Sequence, residues 1–326
     1  MRWRLKKVSD QINNDDSDFN VIGDVLETLR FRGSIFFSSE LAAPWGMSLA
    51  QVGFPRFHVP LSGSFSIGTN NKDVINVQDM EIIMLPNGTS HWIADQPGRE
   101  LIPSERAGRA CELGRPLFQQ GQITNRLMCG LVNYDLDTSH PILDAFPQVL
   151  HFTKLNSADP IWMSAMLIDA EMRRKHFSDT PIVDRLTEAF FLQLLERYVS
   201  ENKETTGFLA ALSDRRVHRA LILIHQELNY NWTLSLLSER VGMSRATLNR
   251  HFQDTVGVAP MTYVMNWRIT KAYNLIKYSD ATLDQIAESI GFMSARTLNK
   301  AFQRHYNYTP NVLRQAQVRT ETSLCK

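Results

Sequence analysis

Hydrophobic and polar positions follow two different patterns along the chain, and the change falls near residue 159. From Leu29 to about Phe152, short runs rich in β-branched and aromatic residues alternate with turns that carry proline or glycine. This spacing is typical of an antiparallel barrel or sandwich. From Asp159 onward, apolar residues recur at helical spacing, as at Phe190 and Leu194, which predicts helices.

These patterns predict an α+β chain of two domains. Residues 1–158 are expected to form an antiparallel β-barrel, residues 159–206 a helical linker and dimerisation segment, and residues 207–326 an all-α domain. The polar stretch at 200–207 predicts the connection between the two domains. A length of 326 residues agrees with about two domains.

The helical linker carries a long apolar stripe that admits two interpretations. It can pair with the same stripe of a second copy, which predicts a homodimer, or it can pack within one chain. The candidate interface residues are Phe190, Phe191, Leu194, Leu195 and Tyr198.

The all-α domain contains an internal repeat. Residues 233–242 align with residues 282–291, and the threonine, leucine, glutamate and glycine positions are identical. After one inserted residue, Met243 to Pro260 aligns with Met293 to Pro310, and eight of these eighteen positions match. Two copies of one pattern predict two copies of one structural unit.

Each copy has the signals of a helix, a tight turn and a second helix. Gly242 and Gly291 end the first helices, where a positive φ favours glycine. Ser244 and Ser294 can cap the second helices. In the second copy, Thr282 also begins a capping box with Gln285, three positions later. The two predicted helix-turn-helix units span about 233–253 and 282–303.

The second helix of each unit presents a polar edge opposite its apolar face. Leu248 and Phe252 lie four residues apart and face the core, as do Leu298 and Phe302. A helix that enters a major groove needs such an edge, because Arg and Lys suit guanine whereas Asn and Gln suit adenine. For a single unit, a solvated polar face is the alternative. The candidate DNA-binding residues are Arg245, Ala246, Asn249, Arg250 and Gln253 in the first unit, and Ala295, Arg296, Asn299, Lys300 and Gln303 in the second.

The charge balance differs between the two parts of the chain. Residues 1–210 carry 20 Lys and Arg against 26 Asp and Glu, whereas residues 211–326 carry 15 against 8. The net charge of +1 conceals this difference. A basic part that follows a mildly acidic one favours a polyanion-binding module joined to a sensing or interacting module.

Residues 215–315 resemble the double helix-turn-helix DNA-binding domain of the AraC/XylS family of bacterial transcription regulators. The matching residues include 234–260, Arg268, Ala272, Leu275 and 286–310. The resemblance implies two recognition helices that are held by one long helix and enter successive major grooves. Ser238 departs from the usual alanine, and Asn307-Tyr308 departs from the usual glycine-hydrophobic pair.

The first 200 residues resemble the cupin-type sensor of one AraC subgroup. The resemblance is carried by the segments 25–33, 43–46, 57–63, 85–91 and 129–130, and it continues through 207–214. It implies a cupin-like barrel that binds a small effector. A barrel interior that suits an apolar or amphipathic molecule would be lined by Trp45, Phe57, His58, His91 and Trp92.

Catalysis and metal binding are separate questions for this barrel. Metal cupins use more histidines than the two found here, and an oxygen-activating iron takes three protein ligands, so we expect no enzyme and no required cofactor. Zinc held by His58, His91 and Cys129 is one alternative. The other is a pair of hydrogen-bonded histidines beside a buried cysteine.

Membrane and secreted classes are not expected. The basic start at residues 1–7 is followed by polar and acidic residues rather than an apolar core, and no run of about 18 apolar residues occurs. Three scattered cysteines, Cys111, Cys129 and Cys325, agree with a reducing cytoplasm.

The resemblance implies a ligand-responsive activator that binds a promoter as a homodimer and contacts RNA polymerase. Two other functions stay open at this stage. One is a cupin enzyme or zinc-dependent sensor fused to a DNA-targeting module, and the other is an architectural DNA-binding protein without an effector.

Overall fold

The computed structural model describes residues 20–69, 74–134, 140–174, 181–202 and 207–315. Its contacts divide the chain into two units. The sheet unit begins at Leu29 and includes the strands and the helices up to residue 203. The helical unit contains the helices from Phe208 onward together with one helix from the start of the chain, Val21–Thr28.

The sheet unit confirms the predicted antiparallel, sheet-rich domain. Its strands pair as two five-stranded sheets in the orders β1-β9-β3-β6-β10 and β5-β4-β7-β2-β8. The pairs with a defined register are antiparallel except for β2 with β8. The strands are β1 Arg32–Ala42, β2 Gly46–Leu49, β3 Arg56–Ser62, β4 Phe65–Thr69, β5 Val74–Val77, β6 Ile82–Leu85, β7 His91–Ala94, β8 Ile102–Pro103, β9 Ile123–Asn133 and β10 Leu150–Phe152.

One hydrophobic core joins the two sheets. Phe37 and Leu127 come from one sheet, Phe65 and Ile93 from the other, and all four are almost fully buried. Inward-facing residues from both sheets interdigitate in this way in a sandwich. Helices α2 Ser104–Glu112, α3 Pro141–Asp144, α4 Pro160–Met172 and α5 Pro181–Glu201 complete the sheet unit.

The predicted linker segment 159–206 belongs largely to the sheet unit. Helix α5 packs on β1. Phe191 stacks on Phe31, directly before β1, and Phe190 packs on Phe57 of β3. Part of the predicted polar connection, residues 203–206, lies outside the described residues. Because α4 and α5 cover a sheet, they are part of that domain rather than a separate linker.

The predicted dimer residues are therefore used within the chain. Phe190, Phe191, Leu194 and Leu195 are each at most 2% exposed, and only Tyr198 is half-buried. The stripe that suggested a dimer is the face that α5 buries on its own sheet unit. The proposal that these side chains form the interface is wrong.

The helical unit confirms the predicted all-α domain with two helix-turn-helix units. Within the described ranges, no helix of either unit has the length and apolar character that crossing a membrane requires. The helical unit comprises α1 Val21–Thr28, α6 Phe208–Ser213, α7 Arg215–Gln226, α8 Leu234–Arg240, α9 Arg245–Val256, α10 Pro260–Tyr278, α11 Leu283–Ser289 and α12 Ala295–Tyr306.

The position of α1 corrects the predicted domain boundary, which placed residues 1–158 in one domain. Asp24 accepts hydrogen bonds from His225 Nδ1 on α7 and Lys271 Nζ on α10, both at 2.6 Å. The Asn274 amide of α10 donates to the carbonyl of Thr28 at 2.5 Å. The apolar residues of α1 are buried as well, so α1 completes the core of the helical unit.

His225 and Lys271 stabilise the ionised form of the Asp24 carboxylate. Burial raises the pKa of Asp24, but the hydrogen bonds from His225 and Lys271 more than offset burial and hold it below its ordinary value. His225 is almost fully buried, and its Nε2 lies 2.7 Å from the hydroxyl of Tyr263. Asp24 therefore anchors α1 through a buried polar chain that reaches α10.

Candidate nucleic-acid interface and sensor interior

The first helix-turn-helix unit has the caps and the core that its sequence predicts. Thr233 caps α8, and the Ser244 hydroxyl accepts from the Thr247 amide at 3.2 Å to cap α9. Gly242 has a φ of 68°, the left-handed conformation expected between the two helices. Leu248 and Phe252 are fully buried, so they fix which face of α9 points outward.

Most of the polar edge predicted for α9 is exposed on the surface of the helical unit. Arg245, Ala246, Arg250 and Gln253 are exposed, whereas Asn249 is half-buried. Arg245 also leans back toward α8, where its Nη1 lies 3.5 Å from the Ser235 hydroxyl.

The second unit repeats this arrangement. The capping box of Thr282 with Gln285 is present on α11, and Ser294 caps α12. Leu298 and Phe302 are fully buried. Arg296, Lys300 and Gln303 are exposed, whereas Ala295 and Asn299 are half-buried.

Two residues near the recognition helices were missed by the sequence interpretation. Met293 is 97% exposed at the turn before α12. Asp214 caps α7 through one carboxylate oxygen, and its other oxygen lies 2.8 Å from Nε2 of His251 on α9. No sequence signal pairs residues 37 positions apart, whereas an apolar residue in a polar turn could have been noticed.

The Asp214–His251 pair lies in a basic groove beside the first recognition helix. Arg215, Arg216 and Arg250 line this groove together with the pair. The first turn of α7 and the exposed side of α9 therefore offer cationic groups next to each other. Such a groove suits the phosphate backbone that flanks a major groove.

In the sheet unit, the two candidate histidines and the cysteine form one buried chain of polar groups. His58 Nδ1 lies 2.9 Å from Cys129 Sγ, and His58 Nε2 lies 2.8 Å from His91 Nε2. His91 Nδ1 lies 2.6 Å from the carbonyl of Thr89. A carbonyl can only accept, so His91 Nδ1 donates to it, and the rest of the chain then has one consistent direction.

With the protons placed in this direction, each of the three side chains is neutral. His58 Nε2 donates to His91, and the Cys129 thiol donates to His58 Nδ1. Burial lowers the pKa of His91 to about 4, and burial also lowers the pKa of His58 well below its ordinary value. Burial raises the pKa of the Cys129 thiol. Near pH 7 these three side chains therefore carry no charge, and each of their polar atoms has a hydrogen-bond partner.

The donor set does not fit a zinc ion in this arrangement. Two nitrogens bound to one tetrahedral zinc lie roughly 3.3 Å apart, and each must direct a lone pair at the metal. Here the two Nε2 atoms are 2.8 Å apart, and His58 uses both ring nitrogens for different partners. Among the described residues, no group of three His, Cys, Asp or Glu side chains has metal-binding geometry.

The structure does not bring all the predicted effector-lining residues together. Trp45, His58 and His91 lie in the core between the sheets, whereas Phe57 and Trp92 point to the opposite faces of their strands, because successive side chains of a strand alternate between its two faces. The indole of Trp45 donates to Asn125 at 3.0 Å, and the Phe57 ring packs against Gly130. The Trp92 ring lies over Gly68, where a side chain would collide with it. These two glycines permit close approach of the Phe57 and Trp92 rings on the strand faces that point away from the shared core.

Comparison with known proteins agrees with this two-part architecture. Residues 20–200 match the family model described as cupin, and residues 237–316 match the model described as helix-turn-helix domain. The cupin match alone covers more than half of the chain.

Curated relatives match across most of their own length. The HTH-type transcriptional regulator AlkR of Acinetobacter baylyi is 24% identical over 269 residues, which cover 79% of this chain and 87% of that protein. A putative AraC-like transcription regulator of Streptomyces lividans is 24% identical over 295 residues, 90% of this chain and 97% of that one.

Among solved structures, fatty-acid-bound ToxT from Vibrio cholerae is 13% identical and covers 86% of this chain and 93% of its own, with a TM-score of 0.34. The family models carry the assignment. They fall on the sheet unit and on the two capped helix pairs, respectively. The chain belongs to the AraC/XylS family of bacterial transcription regulators, in the branch that carries a cupin domain before its helix-turn-helix units.

Proposed function

We propose that this protein is a transcription regulator that binds double-stranded DNA through both helix-turn-helix units and responds to a small effector. The observation that carries the proposal is the pair of recognition helices. Each is capped by a serine, anchored by a buried leucine and phenylalanine, and exposes arginine or lysine with glutamine. Exposed edges of this composition suit direct reading of base edges in the major groove.

Selection from a genomic DNA pool tests this proposal. The purified full-length protein is expected to retain a small set of fragments and to protect two clusters of base pairs about one helical turn apart. A binder without sequence preference would retain fragments uniformly, which would support the architectural alternative instead. The salt dependence of binding separates phosphate contacts from base contacts.

The effector part of the proposal rests on family membership and on the sheet unit. Since Trp45, His58 and His91 are already buried against neighbours in the core between the sheets, an effector at these residues displaces side chains. We therefore expect a true effector to change the near-ultraviolet circular dichroism of these aromatic groups when it stabilises the protein. A compound that shifts the melting temperature without this change binds elsewhere.

A homodimer remains part of the proposal, but through a different surface. Helix α4 exposes four apolar residues at helical spacing, Met163, Met166, Leu167 and Ala170. The same residues of a second copy are their expected partner, because a two-fold axis makes one such stripe complementary to itself. The stripe carries no charge that association would have to desolvate.

Activation is proposed to occur at a promoter in the cytoplasm, through contact with RNA polymerase. In vitro transcription from a selected fragment measures this directly. An increase in transcript with added protein identifies an activator, and a decrease identifies a repressor.

The enzyme and zinc alternatives have their own measurement. The neutral hydrogen-bonded chain of Cys129, His58 and His91 supports a structural role for these groups. Metal analysis of protein purified without chelator or affinity tag decides whether zinc or iron is bound in a stoichiometric amount. Bound iron with turnover of a small molecule would favour the enzyme alternative.

A further inference from the structure

One buried arginine of the helical unit contacts the segment that leads into the first helix-turn-helix unit and the turn of the second. Arg268 lies near the middle of α10, and only 9% of its surface is exposed. Its guanidinium donates three hydrogen bonds, all to main-chain carbonyls. The acceptors are Leu228 at 3.0 Å, Tyr230 at 2.6 Å and Gly291 at 3.1 Å.

The three acceptors come from different parts of the helical unit. Leu228 and Tyr230 lie between α7 and α8, at the entrance to the first helix-turn-helix unit. Gly291 lies in the turn between α11 and α12, directly before the second recognition helix. A single side chain of α10 therefore links the segment directly before the first unit to the turn of the second.

The chemistry of arginine matches this task. A guanidinium holds five N–H donors in a rigid plane, so its bonds fix direction as well as distance. Burial removes part of the Arg268 side chain from water and thereby lowers its pKa. The carbonyl dipoles must compensate for that loss, so the three bonds hold the carbonyls and the guanidinium together.

Gly291 is shaped for the same contact. Its φ is 80°, and a Cβ built on it would lie 2.7 Å from Nη2 of Arg268 and 2.8 Å from the carbonyl oxygen of Asn229. The turn thus approaches both the guanidinium and the segment before the first unit so closely that a side chain cannot be placed there. The sequence explains this glycine by its backbone conformation alone, whereas the structure adds the close approach.

We propose that Arg268 is a positioning residue that fixes the separation and rotation of the two recognition helices, and thereby the base-pair spacing that the protein accepts. The inference rests on the proposed reading of DNA by both units. One added base pair moves one half-site by about 3.4 Å and rotates it by roughly 35°. A rigidly linked pair of helices cannot follow that change, whereas a loosely linked pair can.

The test uses the full-length protein and a duplex that it selects from a random-sequence pool. Footprinting locates the two contacted clusters, and one base pair is then inserted or deleted between them. The unmodified protein is expected to lose at least roughly tenfold in affinity, since a misplaced helix forfeits the contacts of one or more base pairs. Arg268→Lys keeps the charge but loses the planar fork, so it should reduce that penalty to about threefold or less.

Arg314→Lys is the matched control. Arg314 also donates to carbonyls, those of Ile276 and Ala281, but these lie at the end of α10 and just before α11, within the second half of the helical unit. We expect this variant to lower the melting temperature while keeping the full spacing penalty. Circular dichroism checks that both variants are folded.

Two outcomes would overturn the inference, and a third would overturn the proposed function on which it rests. If the unmodified protein tolerates the inserted base pair, the helices are not held in register, and this result needs no variant. If Arg268→Lys weakens binding but keeps the full penalty, as Arg314→Lys does, the residue is only structural. If the unmodified protein selects no duplex at all, the proposed function fails instead of this inference.

Discussion

The recognition helices make the sharpest residue-level prediction, because their exposed edges are defined by buried neighbours. Arg250→Ala and Arg296→Ala should each weaken operator binding by about 1–3 kcal/mol and relax preference at a few adjacent base pairs. The reason is that a guanidinium can contact two acceptors of guanine at once. Base-by-base operator substitution, measured with each variant, checks the position of the loss.

Arg304→Ala provides the comparison within the second unit. Arg304 is exposed in the last turn of α12, away from the turn that precedes the helix. If it contacts only phosphate, its loss weakens all sequences alike and lowers the salt-dependence slope by about one unit. Uniform weakening by all three variants would contradict base reading by α9 and α12.

The buried histidines give a residue-level prediction for pH. The pKa of His91 falls from its ordinary 6.5 to about 4 in the folded protein, so the unfolded chain binds more protons between these values. Stability is therefore lost as the pH falls from about 6.5 toward 4, by up to about 3 kcal/mol for this group. Urea unfolding at several pH values, followed by tryptophan fluorescence, measures the loss.

His91→Gln separates this contribution from the rest of the protein. Glutamine takes up no proton in this range, so the variant should show a shallower decrease of stability with acid, although it is less stable at pH 7. An unchanged pH dependence would show that protonation of His91 does not limit stability. His58 contributes in the same direction, because burial lowers its pKa too.

At the scale of elements, helix α1 changes what an isolated DNA-binding fragment can do. A fragment that begins after residue 206 lacks α1 and exposes the α7 and α10 surfaces that α1 covers. We expect fragment 207–326 to have a low melting temperature that rises when a peptide of residues 20–30 is added. Stabilisation of about 1–3 kcal/mol corresponds to peptide well above its dissociation constant.

Two peptide variants make this prediction specific. Asp24→Lys removes the partner of His225 and Lys271 and should abolish stabilisation. Glu27→Lys changes an exposed carboxylate of the same helix and should preserve it. Equal effects of the two peptides would mean that charge alone, rather than docking of α1, stabilises the fragment.

Helices α4 and α5 lead to opposite expectations for the two apolar stripes of this segment. Met166→Glu combined with Leu167→Glu should give a folded monomer, because these exposed side chains belong to the proposed dimer surface. Phe190→Glu combined with Leu194→Glu should unfold the sheet unit, because it places charge in a packed core. Sedimentation and circular dichroism distinguish these results, with Ser157→Glu as an exposed control.

A folded monomer from the Phe190 and Leu194 variant would restore the original choice of interface. An unchanged mass for the Met166 and Leu167 variant would remove α4 as the dimer surface. Both comparisons refer to the mass of the unmodified protein, and if that protein is already a monomer, the homodimer proposal fails for both stripes.

At the scale of the whole molecule, the chain combines one unit that is anchored by aromatic and aliphatic packing with one that presents polar helix edges. The sheet unit shares one hydrophobic core between its two sheets and leaves His58 and His91 neutral. The helical unit holds its two exposed recognition edges by buried leucine, phenylalanine and arginine. This difference between the two units agrees with a sensing unit and a DNA-binding unit.

The sequence by itself determined the features that depend on neighbouring residues. These features are local: the alternation of short apolar runs with turns, the helical spacing of apolar residues, the serine caps and the glycines at 242 and 291. They predicted both units and the outward edges of α9 and α12. The repeat strengthened this prediction, because two similar segments are expected to fold alike.

The tertiary structure decided everything that depends on distant partners. An apolar stripe such as Phe190 to Leu195 has the same pattern whether it packs on its own sheet or on a second chain, so periodicity could not identify its partner. Asp24 meets His225 and Lys271, and Arg268 meets Gly291, across separations that leave no periodic signal. Hydrogen bonds act through space over about 3 Å, and only the fold brings these groups within that distance.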